Sequence, residues 1–279
     1  MELILTLDVG TTSVKACLFD RQLRQTALTS REYALQTRGV CAEVEAQVYL
    51  DAAAQCILSL PAEARARVCA VALTTQGETL LCVDRQGKAL RPAIVWLDSR
   101  AEAQAARLAA ALDRQRFYER TGLPELSGAL PLAKLLWLRE QEPESWARTD
   151  KFLLLEDYLM LWLTGRAVTE KSLLTSTGYF DLQSDDYWDE ALALAELDRT
   201  CLPQALACGS IVGPVLPEVA EALGLPASAC VVTGAMDQTA AALAAGCTRP
   251  GTLCETTGTA MVAAAFTAHP QFSEDHHVT

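Results

Sequence analysis

A polar turn near the N-terminus carries residue types that could hold a phosphate group and a metal ion. The segment LILTLDVGTTSVKACLFD, residues 3–20, reads as two apolar β-runs joined by Gly10–Ser13. Glycine lets the backbone approach a ligand closely, and the amides and hydroxyls of such a turn can form a concave nest for phosphate oxygens. Asp8, at the end of the first run, could hold Mg²⁺ beside them. An ordinary hairpin with a polar turn is the competing interpretation.

Two further polar segments carry groups suited to a hydroxyl-rich ligand. In TTQGET, between two apolar runs, Gln76 and Glu78 could form hydrogen bonds with hydroxyl groups. In WLDSR, the aromatic face of Trp96 and the carboxylate of Asp98 could contact a sugar. The alternatives are a simple turn for the first segment and, for the second, Asp98 or Ser99 as the N-cap of the next helix.

A fourth segment, GAMDQ, places the carboxylate of Asp237 between an apolar run and an Ala-rich run. The end of a strand and the start of a helix is where α/β proteins often present ligand-binding groups. The sequence therefore predicts a functional carboxylate at this junction. A role for Asp237 as a helix N-cap remains a competing interpretation.

The elements that must position these residues follow from hydrophobic periodicity, which alternates between strand-like and helix-like stretches. This alternation predicts the α/β class. The predicted strands are Leu3–Leu7, Val14–Phe19, Thr26–Leu35, Val68–Thr74, Thr79–Asp84, Ala93–Trp96 and Ala229–Thr233. The predicted helices are Val44–Leu60, Ser99–Leu112, Pro131–Gln141, Glu156–Leu163 and Gln238–Ala245.

Composition and charge exclude several classes of partner. With 279 residues, 51% of them hydrophobic, the chain can build a substantial core. A net charge of −12 argues against a nucleic-acid partner, which would require a clustered basic face. The most apolar stretch, Phe152–Leu163, is interrupted by Glu156 and Asp157, so no membrane span is expected.

The N-terminus and the cysteines predict a cytoplasmic location. The N-terminus opens directly into a strand without a basic region or a cleavage site. The ten cysteines lie in hydrophobic runs without a C-x-x-C pair, which is typical of free thiols among core residues in a reducing compartment.

Taken together, the order and kind of these segments resemble the FGGY carbohydrate kinase family, within the larger group that shares the actin and Hsp70 ATPase fold. The similarity extends over nearly the whole chain. The matching motifs are DVGTTSVK at 8–15, QGETLLCVDRQGKALRPAIVWLDSR at 76–100, LAKLLWLREQ at 132–141, GAMDQTAAALAAG at 234–246 and TTGTAMV at 256–262.

The resemblance implies a ribonuclease-H-like, actin/Hsp70 ATPase-type α/β domain with a mixed sheet flanked by helices. It also implies phosphoryl transfer from ATP, with Mg²⁺, to a hydroxyl of a ketose or polyol. In that reaction Asp237 would be the general base and Asp8 would hold the metal. The phosphate-binding residues would be Gly10, Thr11, Thr12, Ser13, Lys15, Gly258 and Thr259. The residues lining the sugar would be Gln76, Gly77, Glu78, Trp96, Asp98 and Gln238.

Two departures from the family's pattern affect these implications. Gly77 stands where glycerol kinases carry an Arg, and the Met-His pair typical of xylulokinases is missing at 77–78, so substrate identity is open. Family members are usually nearly twice as long. The resemblance therefore implies that residues 1–247 form the sugar-binding catalytic domain and that 248–279 begin the nucleotide-binding domain.

Two other functions compete with an active kinase. A sugar-binding domain without kinase activity of its own would carry the same motifs, and we expect the 279-residue chain by itself to phosphorylate little. An actin-like or Hsp70-like ATPase would share the first hairpin but has no reason to carry the Lys134–Trp137 helix. The exposed apolar strand expected at Thr257–Phe266 could also pair with a second copy and form a homodimer.

Overall fold

The computed structural model describes residues 2–257 and 261–275. Its strands are β1 Leu3–Val9, β2 Ser13–Phe19, β3 Gln25–Glu32, β4 Gln36–Arg38, β5 Cys41–Val44, β6 Val68–Thr75, β7 Leu80–Val83, β8 Ala93–Ile94, β9 Lys151–Leu154, β10 Val168–Glu170, β11 Phe180–Asp181, β12 Asp186–Tyr187, β13 Gln204–Leu206, β14 Ile211–Pro214, β15 Cys230–Val232, β16 Leu253–Thr257 and β17 Met261–Ala265. Its helices are α1 Ala46–Leu58, α2 Ala62–Arg65, α3 Glu102–Ala111, α4 Arg114–Thr121, α5 Pro131–Gln141, α6 Pro143–Arg148, α7 Leu155–Thr164, α8 Lys171–Leu174, α9 Asp189–Leu194, α10 Pro217–Leu223 and α11 Asp237–Ala244.

The main sheet is mixed, as the sequence predicts. Six strands lie in the order β14-β15-β6-β1-β2-β3. The three central strands β15, β6 and β1 run parallel, while β2, β3 and β14 join antiparallel. Carboxyl ends of neighbouring parallel strands meet at one edge of a sheet, so the segments that follow β1, β6 and β15 come together there.

Side-chain alternation explains why β1 forms where it does. Leu3, Leu5, Leu7 and Val9 are buried, whereas the residues between them are only half-buried. Helix α1 packs against β1, β2 and β3, and α7 packs against β6, β14 and β15. The aliphatic residues of this sheet form one hydrophobic cluster with Tyr49 of α1 and with the buried face of α7.

A second sheet and a second cluster support the sugar-side segments. Five strands lie in the order β4-β5-β8-β7-β9. Helices α3, α4 and α5 contribute to a separate hydrophobic cluster that includes Phe117, Leu132 and Leu135. This second body of the fold positions the segment from Trp96 to Arg100.

The predicted elements are confirmed, with differences at their ends. Helix α5 begins and ends where expected, and Pro131 occupies its first turn, where a proline is tolerated. The helix expected from Ser99 begins instead at Glu102, because Asp98 and the residues after it form a separate loop. Within the stretch 257–266, for which a strand is expected, β17 covers Met261–Ala265 and pairs antiparallel with β16, whereas residues 258–260 lie outside the described residues.

The cysteine expectation is partly wrong. All ten cysteines lie in the described part of the chain and all are free, but only Cys56, Cys82 and Cys247 are buried. Cys208 is exposed. Within residues 2–257 and 261–275, every helix is too short or too polar to cross a membrane. The division at residue 247 stays a prediction.

Candidate active site

The candidate site lies at the edge of the main sheet where β1, β6 and β15 end. Asp8 near the end of β1 pairs with Thr74 of β6. The Thr74 hydroxyl donates a hydrogen bond of 2.7 Å to the carbonyl of Ala235, in the loop between β15 and α11. The negative charge of Asp8 reaches Asp237 closely enough to contribute to a raised pKa there. The structure therefore brings together two of the predicted carboxylates.

The β1–β2 turn is a compact loop whose backbone is held by hydrogen bonds within the turn and from Tyr33. The amide of Gly10 donates to the carbonyl of Ser13 at 3.0 Å. Tyr33 donates its hydroxyl to the carbonyl of Gly10 and its amide, at 2.9 Å, to the carbonyl of Thr12. These bonds fix the shape of the turn. Its role in phosphate binding stays a prediction.

Asp8 forms an exposed ion pair with Lys15 across the hairpin. The Lys15 Nζ lies 3.3 Å from Asp8 Oδ2, and the two side chains are 52% and 39% exposed. Such open pairs contribute about 1 kcal/mol or less, so a ligand can displace the partner. In the described residues, no group of three or more His, Cys, Asp or Glu side chains could hold a metal. Asp8 fits Mg²⁺ as a single protein carboxylate whose other ligands are water and phosphate oxygens.

Asp237 is the first residue of α11 and is half-buried. Its Oδ1 accepts a hydrogen bond of 2.7 Å from the amide of Gln238, and Met236 occupies the N-cap position, so Asp237 is not the cap. Burial raises the pKa of Asp237, the Gln238 amide opposes that shift, and the charge of Asp8 adds to it. Gln238 itself is exposed directly beside it.

Gly234 is required for the close approach of β15 to β6. A Cβ at this position would lie 1.4 Å from the carbonyl oxygen of Leu73. Real Cβ atoms never approach another atom so closely. Gly234 lies three residues before Asp237, so a side chain at this position would displace the backbone that leads into α11.

Trp96 joins the two halves of the predicted site. Its indole Nε1 donates a hydrogen bond of 2.9 Å to the hydroxyl of Thr11 in the β1–β2 turn. The ring remains 36% exposed. The structure thus places the predicted sugar-side aromatic beside the predicted phosphate turn.

The turn after β6 divides its side chains between the interior and the surface. Gln76 is 3% exposed and donates weakly to the Tyr49 hydroxyl at 3.4 Å, so its side chain faces the core beneath the sheet edge. Its Oε1 has no partner among the described residues. A Cβ on Gly77 would lie 3.0 Å from Met236 Sδ and 3.2 Å from Ser176 Oγ, which places Gly77 against the Asp237 loop.

Glu78 lies next to the buried side chain of Lys134. The φ of Glu78 is +60°, a left-handed conformation that is uncommon outside glycine. The Nζ of Lys134 donates to the carbonyls of Val95 at 3.0 Å and Glu78 at 3.4 Å. Burial raises the pKa of Glu78 and lowers that of Lys134, and their mutual attraction partly offsets both shifts. A hydrogen bond from Ser176 also stabilises the Glu78 carboxylate.

Asp98 is not open to a ligand in the described structure. It is fully buried, and its oxygens accept hydrogen bonds from the Arg100 guanidinium at 2.6 and 2.9 Å and from the Ala42 amide at 2.6 Å. Arg100 also lies 2.8 Å from Glu43. Burial alone would raise the pKa of Asp98, but these partners outweigh it and the pKa is lowered. Asp98 neither caps α3 nor faces the surface.

Three acidic or hydroxyl side chains that sequence reasoning missed lie directly behind the Asp237 loop. Glu156 and Glu170 are both fully buried, and Ser172 is half-buried. They accept hydrogen bonds from the backbone of residues 234 and 236. The signal was an acid inside the apolar stretch Phe152–Leu163. The last two predicted residues, Gly258 and Thr259, lie outside the described residues.

Comparison with known sequences gives a consistent family. The profile described as "FGGY family of carbohydrate kinases, N-terminal domain" matches residues 3–244. A xylulose kinase of Lactococcus lactis subsp. lactis is 32% identical over 250 residues, which are 88% of this chain and 50% of that protein. A glycerol kinase of Methylobacterium nodulans is 33% identical over 92% of this chain and 52% of that protein. The chain therefore spans about half the length of these relatives.

Solved structures agree on the fold. A xylulose kinase from Rhodospirillum rubrum superposes with a TM-score of 0.87 and 30% identity, over 93% of this chain and 54% of that one. A gluconate kinase from Lactobacillus acidophilus has a TM-score of 0.93 at 24% identity, over 99% and 56% of the two chains, which shows the fold alone. The predicted actin/Hsp70-type α/β fold with a mixed sheet is confirmed.

Proposed function

This chain belongs to the FGGY family of carbohydrate kinases, and from that membership we propose that it carries the sugar-side and catalytic half of an ATP-dependent kinase site. The acceptor is a hydroxyl of a ketose or another polyol. The observation that carries the proposal is the meeting of Asp8 and Asp237 at one edge of the sheet, beside the β1–β2 turn.

Asp237 serves as the general base. The acceptor oxygen forms a bond to the γ-phosphorus while the bond from that phosphorus to the bridging oxygen breaks, and the hydroxyl proton moves to the Asp237 carboxylate. ADP is the leaving group. The raised pKa of Asp237 suits this role, because a base whose pKa is closer to the working pH accepts a proton more readily.

Positioning and charge neutralisation supply most of the rate in this reaction class. Bound Mg²⁺ would neutralise phosphate charge, and Asp8 would hold it. The phosphate oxygens would bind Gly10, Thr11, Thr12, Ser13 and Lys15, with Gly258 and Thr259 on the opposite side.

The sugar site lies along the loops beside Asp237. Glu78 and Trp96 supply an acceptor and an aromatic face, Gly77 leaves space against Met236, and Gln238 lies exposed beside the base. Gln76 and Asp98 support these loops without contacting the sugar, since their side chains face the interior.

Location and assembly are separate proposals. Free thiols throughout the chain support a cytoplasmic location. The exposed side chains of Leu253 and Phe266, on and beside the β16–β17 pair, support contact with a further surface, for which a second copy is one occupant. Residues 248–279 would begin the nucleotide-binding domain.

Calorimetry and a phosphorylation assay test the kinase proposal. The 279-residue chain, and any longer polypeptide that contains it, is titrated with glycerol, xylulose, ribulose and gluconate, and is then incubated with Mg-ATP and the compound that binds. We expect binding of at least one ketose or polyol, and we expect Asp237→Asn to keep that binding while any phosphorylation falls ~10²-fold. Binding to none of the four compounds would overturn the proposal.

A matched control separates the chemistry from the general effect of removing a helix-start carboxylate. Asp189 is the first residue of α9, as Asp237 is of α11, and it is exposed. Asp189→Asn should leave both binding and phosphorylation at the level of the unmodified chain. Equal rates in Asp237→Asn and Asp189→Asn would contradict the assignment of the base.

A further inference from the structure

The three residues before Asp237 are held at every position by side chains from other elements. The amide of Gly234 donates to Glu156 Oε1, on α7, at 3.0 Å. The carbonyl of Ala235 accepts from the Thr74 hydroxyl, on β6, at 2.7 Å.

The third residue has two acceptors. The amide of Met236 lies 2.9 Å from Ser172 Oγ and 3.2 Å from Glu170 Oε1. The Ser172 hydroxyl in turn donates to Glu170 Oε1 at 2.7 Å, so the two acceptors are themselves joined. Strand β6, helix α7 and the β10–α8 junction therefore all converge on this short segment of backbone.

The helix that follows contacts β6 and β16 but contributes no fully buried side chain that would fix the position of Asp237. None of the residues of α11 is buried. A helix in a fold is normally held by its buried face. Here the position of the first residue depends on the loop before it, which is where the convergent hydrogen bonds lie.

The two carboxylates are costly to bury, which argues against a role in stability alone. Glu156 and Glu170 are fully buried. Burial raises the pKa of Glu156 well above its usual value, and the charge of Glu170 adds to the shift. Replacement of a buried ion pair by apolar residues is often neutral or stabilising, so buried charge is weak evidence for a stabilising role. Glu170 also caps α8 by accepting from the amides of Ser172 and Leu173, so it joins the start of that helix to the loop, whereas Glu156 accepts from the Gly234 amide alone among the described hydrogen bonds.

We propose that Glu156, Glu170 and Thr74 are positioning residues that fix the Asp237 carboxylate through the backbone of residues 234–236. This inference rests on the proposed function, in which Asp237 is the base. A base displaced by about 1 Å can lose ~10²-fold in rate, so rigid placement of this loop matters for transfer more than for sugar binding.

Glu156 provides the sharpest pair of variants. In Glu156→Gln, an amide oxygen can still accept from Gly234, and the amide nitrogen takes the place of Oε2, which has no partner among the described residues. In Glu156→Leu, the acceptor is lost. We expect the Gln variant to resemble the unmodified chain and the Leu variant to lose placement.

Thr74 provides a second test with a matched control. Thr74→Val removes the hydroxyl with little change in volume. Thr29 also donates its hydroxyl to a carbonyl, that of Cys56 at 2.8 Å, but it lies on β3, on the far side of β1 and β2 from β6. Thr29→Val therefore reports the general cost of losing one such bond.

The amide of Met236 reports placement without any assay of activity, because it donates to Ser172 and Glu170, which Glu156→Leu and Thr74→Val leave in place. Hydrogen exchange at this amide, followed by NMR, should become ~10-fold faster in Glu156→Leu and Thr74→Val and stay unchanged in Glu156→Gln and Thr29→Val. Unchanged exchange in Thr74→Val, or equal acceleration in Thr74→Val and Thr29→Val, would overturn the proposal even if Glu156→Leu does not fold.

Kinetics separate this inference from the function on which it rests. Where the unmodified chain phosphorylates a substrate, kcat should fall at least ~10-fold in Thr74→Val while KM for the sugar stays within about twofold. A rise in KM with kcat unchanged would contradict positioning of the base. A chain that binds and phosphorylates nothing would overturn the proposed function, and the exchange measurement would then still decide whether the side chains hold the loop.

Discussion

The surroundings of Asp98 and Asp237 differ in every respect that decides whether a carboxylate can do chemistry. Asp98 is fully buried, and both of its oxygens are engaged by Arg100. Asp237 is only partly buried, and its Oδ1 accepts a hydrogen bond from the amide of the next residue. The pKa of the first is lowered and that of the second is raised. The resemblance to the family implies that Asp98 lines the sugar and that Asp237 is the general base.

The comparison shows how the two regions use charge. Beside the second sheet, Arg100 pairs with both Asp98 and Glu43. Arg91 pairs with Glu43 and, at 2.9 Å, with Glu142. The two guanidiniums offset most of the charge of the three carboxylates, and the network lies beneath the Trp96 segment. At the edge of the main sheet, Asp8 and Asp237 repel each other, so a bound cation or proton would lower the electrostatic energy there. The first arrangement holds a loop, and the second is suited to a reaction.

The largest expected effect is on stability, at Asp98. Asp98→Ala leaves the buried guanidinium of Arg100 without its bidentate partner, and breaking a buried pair in this way costs about 3 kcal/mol or more. Urea unfolding should show this loss. Asp51, an exposed carboxylate on α1, supplies the control, since Asp51→Ala should change the free energy of unfolding by about 0.5 kcal/mol or less. Equal losses in both variants would remove the distinction between the two regions.

Asp237→Asn should show the opposite pattern. Its free energy of unfolding should change by at most about 1 kcal/mol, in the direction of greater stability, because repulsion by Asp8 is relieved. In a longer, active polypeptide that contains this chain, phosphorylation should fall ~10²-fold, equivalent to about 2.7 kcal/mol of activation free energy. If Asp237→Asn lost as much free energy of unfolding as Asp98→Ala, Asp237 would be a residue that stabilises the fold.

Asp8→Ala sharpens the comparison from within the site. The dependence of nucleotide binding on Mg²⁺ should weaken several-fold, while sugar affinity stays close to that of the unmodified chain, because the two ligands occupy different parts of the edge. Calorimetry separates the two affinities. Removal of the Asp8 charge should also lower the pKa of Asp237, which NMR titration of its carboxyl carbon can follow. Loss of sugar binding with nucleotide binding retained would contradict the metal role.

The smallest effect is a divergence with pH. A carboxylate with a lowered pKa contributes stability that is complete above its unfolded pKa of about 3.9 and is lost as pH falls through the lower folded value. The deficit of Asp98→Ala should therefore shrink below about pH 4. A raised pKa has the reverse sign, so Asp237→Asn should gain on the unmodified chain as pH rises above about 4. Parallel pH curves for the two variants would refute the opposed shifts.

Much of the sheet and the place of two carboxylates could be predicted from sequence. Alternating aliphatic residues give β1 its buried face, and the break at Gly10 marks where it ends. The same logic predicts a strand before Gly234 and a helix after it. Asp8 and Asp237 stand beside these breaks, so their arrival at one sheet edge follows from parallel pairing of the strands.

The orientation of buried polar groups could not be predicted. Asp98 is bound by the amide of Ala42, which is 56 residues away in sequence. Gln76 points towards Tyr49, on a helix packed beneath the sheet. Such partners are set by tertiary packing and leave no local pattern. Glu156 did leave one, as an acid inside an apolar helix, but that pattern does not say which backbone groups the acid binds.

Gly234 and Gly77, the two glycines nearest the Asp237 loop, differ in what an added side chain would meet. At Gly234 a side chain would overlap a carbonyl oxygen of a neighbouring strand, 1.4 Å from the new carbon, so mutant libraries gain nothing by varying it. At Gly77 the nearest atoms are the ends of two flexible side chains, Met236 and Ser176. Randomising position 77 together with Ser176 would change the space beside the Asp237 loop while Met236 and the hydrogen bonds of residues 234–236 stay in place.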